Sequence, residues 1–220
     1  MLRTVLASAV LVSLAGLSAA WLTEGFEVWT AEAARRRAVS QAPVAAPHAV
    51  LLGDEMSGEP LQDMLAVPGR VTIASFIYTR CFGVCLALGS SFQQLQQAIA
   101  SHPADRSGDS IDDNVKLLSI SFDPAHDDEA QLRRYAALWR VDPRHWRMST
   151  VPDAGELQRL LNAWQVVVIA DGLGGYEHNA ALLVIDQRGR LVRIFDESDA
   201  GTALVFARRL QQPGSVAALR

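Results

Sequence analysis

The spacing of hydrophobic residues predicts a strand–helix–strand unit in the middle of the chain. Residues 71–78 and 115–122 are runs of apolar and β-branched residues with the length of strands buried on both faces. Residues 86–100, between them, repeat apolar side chains at helical spacing, so one face carries Leu88, Phe92, Leu95 and Ile99. The polar stretch 101–114 contains Pro103 and Gly108 and predicts a loop before the second strand.

The C-terminal half continues the alternation of helices and strands. Helical periodicity predicts helices over residues 127–139, 153–163 and 202–210, and Asp153 is placed to cap the second. Residues 181–186 and 191–195 flank the turn sequence 187–190 and predict a β-hairpin. Strands and helices in this order predict an α/β fold, in which a mixed sheet carries helices on both faces.

The N-terminal segment predicts a membrane anchor or a signal peptide. Residues 5–22 contain no charge and no proline. This length exceeds a signal-peptide core of about 7–15 residues and falls at the lower edge of a membrane span of about 17–25. Residues 18–20 are small and would allow cleavage. Arg3 precedes the run and acidic residues follow it, which places the N-terminus in the cytoplasm. We therefore expect an inner-membrane protein facing the periplasm, or a periplasmic protein if the segment is cleaved; an uncleaved anchor is favoured.

These patterns divide the chain into four segments. Residues 26–37 have helix-forming composition, and the Ala/Pro-rich stretch 41–47 predicts a linker. The predicted divisions are an anchor or signal peptide over 1–22, a juxtamembrane segment and linker over 23–47, a folded domain over 48–211, and a tail over 212–220.

Composition narrows the function classes. The chain of 220 residues has a net charge of −4, and its only basic run is Arg35–Arg37. This distribution argues against a nucleic-acid-binding surface, so no nucleic-acid partner is expected. Two cysteines are too few for a disulfide-stabilised miniature fold or for an iron–sulfur cluster.

The two cysteines follow the predicted strand 71–78 at the start of the next helix, which is the thioredoxin-like arrangement. Cys81 and Cys85 share one helical face, about 5–6 Å apart, and can form a disulfide or bind one metal ion. The helix N-terminus and the adjacent Arg80 predict a lowered thiol pKa. A purely structural disulfide would contribute only about 2 kcal/mol because its loop is short. A redox-active or metal-binding pair is therefore the favoured interpretation.

The residue types restrict the metal. Two thiolates suit Cu(I) or zinc, and an added imidazole suits copper in either oxidation state; a structural zinc site requires four protein ligands. Among the five histidines, His48, His102 and His145 are most simply surface or packing residues, and His126 follows Asp123–Pro124 near the rim of the expected site. His178 follows a glycine-rich loop, residues 171–176, and precedes a predicted strand, so it is the candidate third ligand.

Three motifs together resemble the Sco/SenC family. They are residues 78–85 (Tyr-Thr-Arg-Cys-Phe-Gly-Val-Cys), residues 123–135 (Asp-Pro-Ala-His-Asp-Asp-Glu-Ala-Gln-Leu-Arg-Arg-Tyr), and Glu177-His178 before residues 182–186. The resemblance extends over residues 48–211 and includes the preceding apolar segment. It implies a thioredoxin-like fold, copper ligands Cys81, Cys85 and His178, and a role in metallation or thiol reduction of the copper centre of cytochrome c oxidase.

The chain departs from the family pattern at three positions beside the candidate ligands. Phe82 and Leu86 stand where proline often follows each cysteine, and Glu177 stands where aspartate often precedes the histidine. These changes affect the expected rigidity of the cysteine loop and the redox potential of the Cys81–Cys85 pair. The candidate ligands themselves are present.

Two functions use the same cysteines. The first is a copper-binding accessory protein whose partners are the copper-site subunit of the oxidase and a thiol reductant or another copper carrier, with Asp123 and Glu177 near the ligands. The second is a periplasmic thiol–disulfide oxidoreductase, which needs the redox-active pair Cys81 and Cys85 but not His178. A redox or copper sensor is a weaker third interpretation. A metallochaperone is favoured over an enzyme, and thiol–disulfide oxidoreductase activity is compatible with the same two cysteines.

The predicted anchor leads to a localisation experiment. We expect the full-length protein in the inner-membrane fraction, with its folded domain digested by protease added to the periplasmic side, because the positive charge precedes the apolar run. Recovery of most of the protein in the cytosol would contradict this topology.

Overall fold

The computed structural model describes residues 2–23, 25, 28–53, 56–81, 83–101 and 114–211. Most of the predicted loop 101–114, with His102, and the predicted tail 212–220 lie outside the described residues. The chain forms two compact units, residues 1–38 and residues 39–220. The second unit contains every candidate functional residue.

Seven helices and ten strands are described in these ranges. The helices are α1 Leu2–Leu22, α2 Ala31–Gln41, α3 Leu61–Leu65, α4 Val84–Ala100, α5 Glu129–Trp139, α6 Ala154–Ala163 and α7 Ala200–Gln211. The strands are β1 Val44–Ala45, β2 Val50–Gly53, β3 Met56–Pro60, β4 Val71–Ile77, β5 Val115–Ser121, β6 Trp146–Thr150, β7 Val168–Ala170, β8 Tyr176–His178, β9 Leu182–Ile185 and β10 Arg190–Phe195.

Helix α1 has the properties of a membrane-spanning segment. It has 21 residues with a mean hydropathy of 2.0, and none of its residues is buried in the protein. A helix of this length rises about 30 Å, which matches the hydrocarbon thickness of a bilayer. Its length and composition support membrane anchoring.

The second unit is built on an eight-stranded mixed sheet with the order β1-β10-β9-β4-β5-β6-β2-β3. Strands β4, β5 and β6 are parallel, whereas β9 pairs with β4 and β10 in antiparallel orientation. Every residue of β4 is buried because the strand lies at the centre of the sheet. The continuous apolar run of this strand reflects burial on both faces.

Helices cover both faces of the sheet. On one face, α4 and α7 pack their apolar sides onto Ile73, Leu117 and neighbouring residues. On the other face, α3 and α6 enclose a second core that contains Phe76, Leu118 and Trp164. The predicted α/β fold with helices on both faces is therefore confirmed.

Several regions differ from the predicted elements, including residues 50–65, where no element was predicted and β2, β3 and α3 form. Val44 and Ala45 pair with Arg190 and Leu191, so residues 41–47 are not simply a linker, and the compact unit begins before His48. Strand β6 was not predicted, although it continues the parallel sheet. Strands β7 and β8 were not predicted either, because each has only three residues.

Gly89 provides a test of helix packing on the first face. A Cβ atom at this position would overlap the ring of Trp139 on α5. We expect Gly89→Ala to lower the free energy of unfolding by about 1–3 kcal/mol, despite the better helix propensity of alanine. Gly201→Ala is the matched control, since open space surrounds that position in α7, and it should be neutral or stabilising by about 0.5 kcal/mol. Urea unfolding measures both, and equal effects would contradict the proposed packing.

Candidate metal and thiol site

The cysteine loop connects β4 to α4 and places both sulfurs in the protein interior. Cys81 is 7% exposed and Cys85 is fully buried, and both are free thiols. Cys85 lies in the first turn of α4, where its backbone N–H donates to Cys81 Sγ at 3.3 Å. Amide groups at a helix N-terminus are unpaired within the helix, so a sulfur atom there finds a ready donor. The two sulfurs thus share one small buried volume.

His178 reaches this volume from a separate two-stranded sheet. Strands β7 and β8 form an antiparallel pair in which Val168 opposes His178. The His178 Nε2 atom lies 3.6 Å from Cys85 Sγ. Its Nδ1 atom is buried and has no hydrogen-bond partner in the described part of the chain. Cys85 and His178, which are 93 positions apart in sequence, are therefore in contact.

An aromatic cluster holds β8 against the cysteine loop. The Tyr78 hydroxyl accepts a hydrogen bond from the Tyr176 N–H at 3.1 Å and donates to the Tyr176 carbonyl at 3.2 Å. The rings of Tyr78 and Tyr176 pack edge to face with centroids 5.3 Å apart, and Phe122 packs edge to face on His178 at 5.1 Å. These contacts fix the direction from which the imidazole approaches the sulfur.

The turn of the β7–β8 hairpin is closed by a carboxylate. Asp171 accepts hydrogen bonds from the Leu173 and Gly175 N–H groups at 2.7 and 2.9 Å, and these bonds hold the pKa of its carboxyl below the usual range. Gly172 and Gly174 have φ angles of +74° and +91°, which favour glycine. The glycine-rich sequence therefore forms the tight turn that allows β8 to return toward the cysteines.

The local environment keeps both the buried thiol and the imidazole neutral. Burial raises the pKa of the Cys85 thiol, and its contact with Cys81 adds to this effect. Burial lowers the pKa of His178 to about 4. Both shifts follow from the cost of placing a charge in a poorly solvated site. The predicted lowering of the thiol pKa is therefore wrong for Cys85, since desolvation outweighs the helix N-terminus.

Arg80 does not supply the positive charge that was expected next to the thiols. Its guanidinium donates to Asp123 Oδ2 at 2.9 Å and contacts His126 Nδ1 at the same distance. Asp123 is almost completely buried and also contacts His126. The charge of Arg80 is thus balanced by a carboxylate, which explains why it does not dominate the thiol environment.

A residue that the sequence did not single out holds the cysteine loop in place. Asp127 is fully buried, and its carboxylate accepts hydrogen bonds from the Thr79 backbone N–H at 2.9 Å and the Thr79 hydroxyl at 2.6 Å. It also accepts from the hydroxyl of Ser121, at the end of β5. The only sequence signal was its position four residues after Asp123 in the second motif. Its long-range partners could be identified only from the fold.

The other candidate residues lie away from the two sulfurs. His48 is exposed and contacts Glu156 at 3.0 Å. His145 precedes β6, at the end of the parallel strands opposite to the cysteine loop. Glu177 is exposed, because strand alternation turns it to the face opposite His178. Phe82 is outside the described residues, and the neighbouring departure Leu86 is 44% exposed.

The donor set fits a soft metal ion that accepts few ligands. Two thiol sulfurs and one neutral imidazole nitrogen are the groups that copper and zinc prefer. Within the described ranges, no three His, Cys, Asp or Glu side chains are placed closely enough to hold a metal ion together. The same two sulfurs also suit reversible disulfide formation. Cys81 lies in the loop before α4, and Cys85 lies four residues later in the first turn of that helix.

The comparisons with known proteins identify the family. A family model described as SCO1/SenC matches residues 55–211, which is more than half of the chain. This chain belongs to the SCO1/SenC family. The resemblance noted from three short motifs is thereby confirmed.

A curated relative and two solved structures show how distant the similarity is. The SCO1 protein homolog of Bacillus subtilis (strain 168) is 22% identical over 133 residues, which cover 60% of this chain and 64% of the relative. The match thus spans somewhat less than two thirds of that relative's length. The structure of Bradyrhizobium japonicum ScoI with copper bound has a TM-score of 0.59 and 21% identity, covering 76% of this chain and 99% of that one.

The second solved structure is BsSco, described as a member of the Sco family of cytochrome c oxidase assembly proteins with a disulfide switch. It has a TM-score of 0.57 and 18% identity, covering 74% of this chain and 95% of that one. At such identities the likeness establishes the shared fold, and the predicted thioredoxin-like fold is confirmed.

Asp127 allows a test of how the cysteine loop is held. Asp127→Asn places an amide group among three donors, so we expect the free energy of unfolding of the reduced protein to fall by about 2–4 kcal/mol. Asp128→Asn is the matched control, since Asp128 caps α5 through the Gln131 N–H and asparagine caps equally well. Equal urea midpoints for the two variants would show that the Asp127 hydrogen bonds do not stabilise the loop.

Proposed function

We propose that this SCO1/SenC chain binds one copper ion through Cys81, Cys85 and His178 and serves the assembly of a cytochrome c oxidase. The observation that carries the proposal is the 3.6 Å contact between His178 Nε2 and Cys85 Sγ, next to a second buried sulfur. The imidazole comes from a segment 93 residues away from Cys85, and its Nδ1 atom has no hydrogen-bond partner among the described residues. The copper-bound relative and the oxidase-assembly relative support the same function.

The protonation state of the site defines what copper binding requires. A buried neutral imidazole has a lone pair available for a metal, since its pKa near 4 keeps it unprotonated at neutral pH. The Cys85 thiol must lose its proton, because burial raises its pKa and only the thiolate is a good ligand. Copper uptake is therefore coupled to proton release. Two thiolates and one imidazole carry a net charge of −1 with Cu(I) and are neutral with Cu(II).

Copper delivery requires the ligands to be exchanged with a partner. The copper-site subunit of the oxidase is the proposed acceptor, and another copper carrier is the proposed donor. Cys81 is the more exposed of the two cysteines, so exchange begins at this sulfur while Cys85 stays buried and His178 stays partly buried. The Cys81–Cys85 disulfide cannot bind copper, so a thiol reductant must act first.

The second candidate function is reduction of a disulfide between the cysteines of the oxidase copper site. The exposure of the two sulfurs favours a defined order of attack. Cys81 thiolate would attack the partner disulfide and form a mixed disulfide, releasing one partner thiolate. Cys85 would then attack Cys81 Sγ, forming the Cys81–Cys85 disulfide and releasing the second partner thiolate. Each turnover consumes two electrons of this chain, and an external thiol reductant restores them.

The proposed location follows from the apolar helix α1. An uncleaved helix would hold the domain at the periplasmic face of the inner membrane, close to the soluble portion of an oxidase subunit. Tethering raises the effective concentration of both partners at the membrane surface. A soluble periplasmic form would result if the segment is cleaved.

His178→Ala distinguishes copper binding from thiol exchange. We expect the reduced wild-type chain to bind one copper per chain, Cys85→Ser to lose most of this binding, and His178→Ala to lose at least about tenfold in affinity because a ligand is removed. Disulfide exchange should persist in His178→Ala, since both thiols remain. Metal analysis after dialysis and competition with a chromophoric Cu(I) chelator measure binding, and reduction of a model disulfide measures exchange.

His126→Ala is the control, because this histidine lies near the site but contacts Asp123 and Arg80 instead of sulfur. It should bind copper like the wild type. Unchanged copper affinity in His178→Ala would exclude His178 as a ligand and favour the oxidoreductase function. Unchanged affinity in Cys85→Ser would exclude the two-thiolate site.

A further inference from the structure

A basic cleft lies at the end of the sheet opposite to the thiols. It has a volume of about 280 Å³ and is lined in part by Arg70, Lys116, Arg144 and Arg147. Lys116 lies at the start of β5 and Arg147 at the start of β6, and Arg70 directly precedes β4. Since β4 rises about 20 Å from end to end, the cleft is remote from the cysteine loop at the other end of this strand.

The cleft concentrates positive charge in an acidic protein. The chain has a net charge of −4, yet four cationic side chains and one carboxylate, Glu59, line this cleft. Glu59 pairs with Arg147 at 3.1 Å, and Arg144 pairs with Asp142, just outside the lining, at 2.6 Å. Arg70 has no ion pair to any described residue, and the lysine ammonium donates to the Arg144 carbonyl at 2.8 Å. Within the described residues, carboxylates therefore pair with two of the four cationic groups that line the cleft.

Polar groups in the wall of the cleft have unsatisfied hydrogen-bonding capacity. Thr72 is 1% exposed, and its hydroxyl has no partner in the described part of the chain. The Nδ1 atom of His145 is also buried without a partner there. Both residues line the cleft. Buried polar groups without partners are uncommon in folded proteins and often indicate a ligand or ordered solvent.

We propose that this cleft is a binding site for a small phosphate monoester. Guanidinium groups match the geometry of phosphate oxygens, and an ammonium adds a point charge, so three arginines and a lysine suit a dianion better than a single carboxylate. A volume of about 280 Å³ is at the lower end of small-molecule sites and favours a short ester over a nucleotide or polymer. The phosphate belongs to a soluble ester or to the headgroup of an anionic lipid.

Calorimetric titration of the full-length chain in a neutral detergent with glycerol 3-phosphate tests the proposal at constant ionic strength. We expect one saturable site, weakened about tenfold by Arg70→Gln or Lys116→Gln because each removes a charged donor. Glu59→Gln should strengthen binding several-fold, since it removes the carboxylate of the lining and releases Arg147. This gain cannot be produced by partial unfolding.

Arg209→Gln is the matched control, since it removes the same charge from an exposed position of α7 outside the cleft. It should bind the ester like the wild type. The proposal is overturned if Arg209→Gln weakens binding as much as Lys116→Gln. It is also overturned if Lys116→Gln and the wild type bind the ester equally when sodium chloride sets the ionic strength.

Lys116 is the only lysine of the sequence, which gives a second measurement. We expect glycerol 3-phosphate to slow acetylation of Lys116 by an amine-reactive ester at least about threefold, measured by peptide mass spectrometry, with the N-terminal amine as internal reference. Protection by vesicles containing phosphatidic acid, but not by the soluble ester, would assign the phosphate to a lipid headgroup and still support the site. Protection by neither would overturn the proposal.

Discussion

The geometry of the thiol site depends on the buried carboxylate of Asp127. Its hydrogen bonds to Thr79 and Ser121 join the cysteine loop to the end of β5, the neighbouring parallel strand. A carboxylate without solvent must have its lone pairs occupied, and here three donors from two segments supply that need. The position of Cys81, two residues after Thr79, is thereby fixed relative to the sheet before any metal binds.

A second set of contacts brings the imidazole to the sulfurs. Tyr78 belongs to the segment that carries the cysteines, and its hydroxyl bonds to both backbone groups of Tyr176, two residues before His178. The hairpin β7–β8 has only three residues in each strand. Such a short hairpin is marginal by itself, so the aromatic packing of Tyr78 and Phe122 provides much of its stability. The copper proposal thus depends on a two-stranded sheet whose position is stabilised by contacts with Tyr78 and Phe122.

Burial also controls the chemistry of the candidate ligands Cys85 and His178. An interior thiol with a raised pKa is protected from indiscriminate oxidation and becomes a ligand only when a soft metal or a partner displaces its proton. An interior imidazole with a lowered pKa is a ready ligand throughout the neutral range. One physical effect, desolvation, therefore keeps the Cys85 thiol and the His178 imidazole neutral. Under the copper proposal, Cys85 acquires its charge only when copper displaces the proton.

The sequence by itself determined the features that depend on local patterns. The spacing of hydrophobic residues predicted the central strand–helix–strand unit. The position of Cys81 and Cys85 after a buried strand indicated the thiol site. Three motifs indicated the family and supported His178 as a candidate ligand. Only the tertiary structure decided the strands β7 and β8, the roles of Asp127 and Tyr78, the pairing of Arg80 with Asp123, and the basic cleft. The physical reason is that these features come from contacts between residues distant along the chain, and from desolvation, neither of which leaves a periodic signal in sequence.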